Sequence, residues 1–175
     1  MKNKPDSAKG LKEYIANRYI SQWKEIADLG CGQGFLSDLL KDKNQVFSYD
    51  LEKNYDSCIL KDLNKDFELE KEFDIIFAIE LIEHLENPRH FIRECKKYLK
   101  KNGKIIITTP IVDDFKQRLY YLIKGDIYGF RDLDYEISGH ITPMTKKNFK
   151  NIARELNLNI KMSSYKENLI VELLK

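Results

Sequence analysis

The chain has 175 residues, 42% hydrophobic and 33% charged, with a formal net charge of +2. That length suits one domain with a sizeable core, and the composition excludes a disordered chain. Near-balanced charge argues against a dedicated nucleic-acid binder, and no apolar run reaches membrane-spanning length.

The start, MKNKPDSAKG, is polar and unlike a signal peptide. Cys31, Cys58 and Cys95 are odd in number and lack metal-ligand spacing, so they read as reduced thiols and the protein as cytoplasmic. Next, SAKGLKEYIANRYISQW places Leu11, Ile15 and Ile20 near helical spacing, a helix that Ser7 would open. Residues 24–29 predict a short buried strand. In FLSDLLKDK, Phe35, Leu36, Leu39 and Leu40 predict an inward helical face. QVFSYD is a second strand ending at Asp50, SCILKDLN holds a short third, and EFDIIFAIE is a fourth, apolar as if covered on both faces.

NPRHFIRECKKYLKKNG predicts a helix capped by Asn87, with Pro88 in its first turn and Gly103 as its stop. KIIITTP is a fifth strand. DDFKQRLYYLIKG predicts a helix, followed by an irregular stretch to about Thr145 and a further helix in TKKNFKNIARELN. Two last strands, LNIKMSSYK and NLIVELL, have no helix between them and should pair antiparallel. Strands alternating with helices give an α/β, Rossmann-like three-layer sandwich around a mostly parallel sheet.

In such folds ligands sit beyond the carboxyl ends of the strands. The motif IADLGCGQG puts Gly30, Gly32 and Gly34 at the first strand-to-helix turn, where glycine lets the backbone approach a ligand. A dinucleotide site wants G-x-G-x-x-G, and this spacing is one residue short. Asp28, just before the turn, would repel a phosphate and suit a cation. Asp50, twenty residues after Gly30, suits the two hydroxyls of a ribose. Taken alone, the glycines fit an ordinary tight turn. Taken with Asp28 and Asp50, they ask for a nucleoside with a cationic, phosphate-free tail, and S-adenosylmethionine has that composition.

IADLGCGQG, FSYDLE, LKDLN, the segment from Asp74 to Pro110 and GHITPMTKKNFKNIARELN together resemble the successive motifs of class I S-adenosylmethionine-dependent methyltransferases. The subgroup resembled is the small bacterial type near the ubiquinone-biosynthesis O-methyltransferases. The resemblance implies a seven-stranded sheet with its last strand antiparallel. The match runs from about Trp23 to the C-terminus, and the expected organisation is one domain over residues 1–175, with an N-terminal helix in 1–22 and an acceptor-side insertion at 111–145. The resemblance implies cofactor contacts from Asp28, Gly30, Gly32 and Gly34 to the methionine half, from Asp50 to the ribose, and from Leu51, Asp62 and Leu63 at the adenine. The backbone of Ile79 would also contact the cofactor. S-adenosylhomocysteine would be the product. FKQRLYYLIKGDIYGF resembles a stretch in relatives encoded with surface-polysaccharide and small-metabolite pathways, which suggests a small-molecule acceptor.

ELIEHLENP carries Glu80, Glu83 and His84 on one face of a helix or tight turn. Three readings stay open. His84 is a general base, its pKa being near neutrality. Alternatively the three side chains, with His140, bind a divalent cation, as the similar E-x-x-E-H of small-RNA 3′-end 2′-O-methyltransferases does. Or the turn is a solvated cap for the next helix. The catalytic candidates are therefore His84, Glu83 and His140, with no metal ligand assigned. Tyr14, Tyr120, Tyr121, Tyr128, Phe130 and Tyr135 are candidates for an acceptor pocket. The expected function is methyl transfer from S-adenosylmethionine to a small molecule, at a hydroxyl oxygen. Alternatives are a metal-dependent RNA 2′-O-methyltransferase, a nicotinamide-dependent oxidoreductase and a non-catalytic nucleoside-binding module. Oligomeric state is left open.

Overall fold

In the computed structural model, which describes residues 8–19 and 22–175, seven strands form one sheet in the order β3-β2-β1-β4-β5-β7-β6. They are β1 (Glu25–Leu29), β2 (Gln45–Asp50), β3 (Cys58–Leu60), β4 (Phe73–Ile79), β5 (Leu99–Pro110), β6 (Asn159–Tyr165) and β7 (Asn168–Leu174). The first five run parallel; β7 runs antiparallel to both β5 and β6. Among the described residues the helices are α1 (Lys9–Tyr19), α2 (Phe35–Leu40), α3 (Pro88–Lys97), α4 (Phe115–Lys124), α5 (Asp132–Ser138) and α6 (Lys146–Glu155).

Strand periodicity explains the layers. Along β4, Ile75, Phe77 and Ile79 join α1 and α2 in one apolar cluster, while Ile76 and Ala78 join α3 and α6 in the other. A strand buried on both faces must be almost wholly apolar, as β4 is apart from the half-buried Asp74 near its start. Each fully buried side chain, such as Phe91 or Phe149, contributes roughly 1.5–3 kcal/mol. Among the described residues no helix is long and apolar enough to cross a membrane. The three cysteines are free and buried.

Several expectations change. Ser7 and Ile20 lie outside the described residues. Leu39 is 40% exposed, and Ser37 takes the inward place beside Leu36 and Leu40. The third helix stops at Lys97, well before Gly103. Leu99 is buried and pairs with Phe73, which draws the chain into β5 early. Gly103 then lies in the strand, where a Cβ would come within 2.9 Å of both Lys100 O and Phe73 O. The stretch read as irregular contains α5, with Gly139 in the left-handed conformation as its stop.

At α3 the expected start holds. The Asn87 side chain accepts from His90 N at 3.0 Å, and Pro88 opens the first turn. Asn87→Ala should cost about 1 kcal/mol and lower the melting temperature by about 3 °C, read by calorimetry. An unchanged transition would leave the cap without energetic weight.

Candidate functional site

The turn after β1 is held by its own main chain. Gly30 N and Cys31 N both donate to Tyr49 O, at 2.8 and 3.1 Å, and Gly32 N donates to Asp50 Oδ2 at 2.7 Å. Gly30 has φ +73°, and a Cβ there would meet Leu81 at 2.9 Å. At Gly34 (φ +76°) a Cβ would strike the Tyr55 ring. The glycines therefore serve both a left-handed backbone and close packing. With one Asp50 oxygen tied to the turn, the carboxylate is fixed at the end of β2.

Beside this turn lies a cavity of about 310 Å3. Asp50 stands on one side of its lining and Glu80 and His84 on another, with Leu51, Leu63, Leu81 and Leu85 giving it apolar walls. Gly30 and Asp62 also border it. Such a mix suits a ligand with one flat apolar part and a few polar groups. A larger open groove between α3 and α6 has a largely polar rim and does not border the turn.

Of the nine cofactor candidates, Gly30, Asp50, Leu51, Asp62 and Leu63 line the cavity. Gly32 acts at one remove, through its bond to Asp50. Gly34 is taken up by Tyr55, and the Ile79 side chain packs in the core against α1 and α2. Asp28 does not line the cavity. It is 2% exposed behind the turn, accepting from Ser37 Oγ at 2.6 Å, and Ser37 in turn bonds Ser48 at 2.7 Å. Burial pushes its carboxyl up, against the Ser37 hydroxyl and the charge of Lys12. The acids that border the cavity are Asp50, Asp62 and Glu80.

Lys12 was missed. It is 7% exposed, and its charge acts on both Asp28 and Glu80. Helical spacing carried the signal, since Lys12, Ala16 and Tyr19 share the inward stripe of α1.

After β4, Glu80 adopts a left-handed backbone (φ +52°). Its amide donates to Thr108 Oγ1 at 3.0 Å, and that hydroxyl donates to Glu80 Oε1 at 2.8 Å. A non-glycine residue held there is costly, a feature that clusters at functional sites. Burial pushes the Glu80 carboxyl up to about 7, against Thr108 and Lys12.

A 3-10 turn, Ile82–His84, follows. Glu83 O accepts from both Ile141 N and Thr142 N, at 2.9 and 3.0 Å, which ties the chain after α5 onto this turn. That link brings His140 to His84, with ring centroids 4.9 Å apart. Glu83, His84 and His140 each offer a ligand atom, all within 4.8 Å of one another. His84 Nδ1 bonds Gly139 O at 3.2 Å, and His140 Nδ1 bonds Gly129 O at 2.6 Å. Each Nδ1 next to a carbonyl must be the N–H, which leaves both Nε2 lone pairs for a ligand.

Glu83 is fully buried, and its carboxylate oxygens and the nearby Thr109 hydroxyl make no well-formed hydrogen bond. Burial, and next the charge of Glu80, raise its pKa well above the ordinary range. Burial and His140 hold His84 below its usual pKa, so it is neutral near pH 7. An orphaned buried carboxylate beside two free imidazole nitrogens is a donor set that fits a divalent cation. Asp66, His90 and Glu94 form a second such group, but Lys97 already holds Glu94 at 2.6 Å and Asp66 is exposed.

Of the aromatic candidates, Phe130 packs on His140 and Tyr120 meets Tyr128 edge-on. Tyr14 instead stacks on Tyr165, and Tyr121 and Tyr135 face outward.

Comparison with known proteins decides the family. The sequence model described as "Methyltransferase domain" matches residues 7–161. The chain belongs to the class I S-adenosylmethionine-dependent methyltransferases. A ubiquinone biosynthesis O-methyltransferase of Coxiella burnetii is 30% identical over 132 residues, covering 65% of this chain and 55% of that protein. One from Rickettsia akari is 33% identical over 107 residues, covering 53% and 42%. The chain thus spans about half the length of the curated relatives it matches. Its fold is shared with an S-adenosylmethionine-dependent methyltransferase of Mesorhizobium loti (TM-score 0.73, 15% identity, covering 94% and 98%). A magnesium protoporphyrin IX methyltransferase of Synechocystis, solved with bound SAH, also shares it (TM-score 0.68, 14% identity, covering 97% and 82%).

Proposed function

We propose that the chain, as one catalytic domain, transfers the methyl group of S-adenosylmethionine to a hydroxyl oxygen of a small-molecule acceptor. One observation carries this reading: His84 belongs both to the cofactor cavity and to the Glu83–His84–His140 group. Cofactor and acceptor chemistry therefore meet at one side chain. The similarity to ubiquinone biosynthesis O-methyltransferases supports a hydroxyl acceptor.

In this reading Asp50 holds the ribose and Leu51, Leu63 and Asp62 border the adenine. Gly30 lets the methionine part lie against the main chain. When bound, the cofactor supplies a methyl group already activated on a sulfonium. The chain's task is alignment and exclusion of water. Glu83 and the Nε2 atoms of His84 and His140 would hold a divalent cation, which would supply positive charge that makes the acceptor hydroxyl more acidic. Glu80 borders the cavity with a carboxyl poised at about 7 and takes up the proton. Residues 111–145, which carry His140, form the acceptor side. A second reading dispenses with the cation and makes His84, neutral and on the cavity, the base.

The test is transfer of labelled methyl from S-adenosylmethionine to a panel of phenolic and sugar hydroxyls, with RNA ends as a competing arm. Labelled small hydroxyl compounds are expected. Labelled RNA ends alone would move the function to 2′-O-methylation. Cofactor binding with no transfer to any acceptor would leave a nucleoside-binding module.

A further inference from the structure

Helices α4 and α5 are well capped yet bury nothing. Asp114 accepts from Gln117 N at 2.8 Å, and Gly125 and Gly139 close the two helices in left-handed turns. Neither helix contains a buried residue. Among the described residues, ten of the fourteen exposed large apolar side chains fall between Phe115 and Ile141, including Phe115 at 82%, Leu122 at 80% and Ile123 at 69%. Helices this short are marginal in water unless an apolar face is packed. A patch of this density on a folded surface marks an interaction site.

Charge says what covers it. α4 carries Lys116, Arg118 and Lys124 and no acid; α5 carries Asp132, Asp134 and Glu136 and no base. Lys116 already pairs with Glu167 and Asp134 with Arg131, which leaves Arg118, Lys124, Asp132 and Glu136 to face a partner. The segment joining the two helices folds back on α4, since Tyr120 meets Tyr128 at 5.7 Å between centroids and the guanidinium of Arg131, just before α5, lies 5.0 Å over Tyr128. An anionic lipid surface would attract α4 and repel α5. A two-fold axis answers both charges, because it lays α4 of each copy on α5 of the other. An apolar groove of about 460 Å3, bordered by Val112, Tyr121, Leu122 and Ile127, is there to receive a side chain such as the exposed Leu133 of the second copy. At about 200 Å2 per large side chain, the patch exposes on the order of 1,000 Å2, against roughly 800 Å2 per partner in a standard interface.

We infer that this chain forms a homodimer in which α4 of one copy packs on α5 of the other, by apolar contact and opposite charge. The inference does not rest on the methyl-transfer reading. Its consequence reaches the site all the same, since α5 ends at Gly139, whose carbonyl orients His84.

Sedimentation equilibrium tests it, on the whole chain and on two charge-reversed forms. One is Arg118→Glu with Lys124→Glu, the other Asp132→Lys with Glu136→Lys. Neither touches the cavity, and circular dichroism checks their folding. The wild type should sediment at twice the 20.7 kDa chain mass across the micromolar range. Each reversed form alone should be monomeric, and an equal mixture of the two should regain the dimer, because each now complements the other. Leu122→Ser with Ile123→Ser should also dissociate it. A monomeric wild type overturns the inference, as does a dimer that survives both reversals. A monomer that pellets with phosphatidylcholine–phosphatidylglycerol vesicles overturns it in favour of a lipid surface.

Discussion

Asp50→Ala should weaken S-adenosylmethionine binding by about ten- to hundredfold, measured by titration calorimetry. The loss follows from two hydrogen bonds to a carboxylate, each exchanged for water, for a net 1.5–3 kcal/mol in all. One Asp50 oxygen is already engaged by Gly32 N at 2.7 Å, so the carboxylate meets a ligand in a fixed orientation. Removing it also frees the turn, which adds to the loss. Asp50→Asn separates the two effects, since the amide oxygen can still accept from Gly32 while the charge is gone. If the alanine variant binds with wild-type affinity, Asp50 is not in the cofactor site. A parallel titration with NAD tests the oxidoreductase alternative; tight NAD binding beside weak S-adenosylmethionine binding would restore it.

Much of this site could be read before any fold was known, and the reasons are local. Gly30 and Asp50 sit at the ends of the first two strands, and parallel pairing of β1 with β2 must bring those ends together. The near-continuous apolar run of β4 and the Asn87–Pro88 start of α3 are equally local signals. The failures have a common cause in tertiary packing. Asp28 has the residue type for a cation site, but its burial depends on Ser37 and Ser48 from two other elements. The charge argument made from Asp28 therefore passes to Asp50 and Glu80, which border the cavity. The pairing of Leu99 with Phe73 overrides the helical pattern that ran on to Gly103. No inward stripe announces α5, because that helix buries nothing within its own chain. The sequence names His140 as a possible partner of His84, but its approach depends on Glu83 O bonding Ile141 and Thr142 across a long loop.

That convergence makes cation removal the second large expected effect. Chelation should lower the methyl-transfer rate by about 10²–10⁴-fold, the range spanned by losing activation of the acceptor proton, and Mg2+ or Mn2+ should restore it. A readout independent of activity comes from stability. Glu83 is buried with neither oxygen in a well-formed hydrogen bond, a state that costs folding free energy unless something answers it. A bound cation should therefore raise the melting temperature of the wild type, the more so the further its concentration exceeds the dissociation constant. In Glu83→Gln the carboxyl that a cation would ionise is gone, so added Mn2+ should shift its melting temperature little. A rate insensitive to chelation but abolished in His84→Ala would instead make His84 the base, acting through the Nε2 that Gly139 leaves free. If His84→Ala and Glu83→Gln both retain full rate, the cluster is structural and the acceptor is activated elsewhere on the cavity wall.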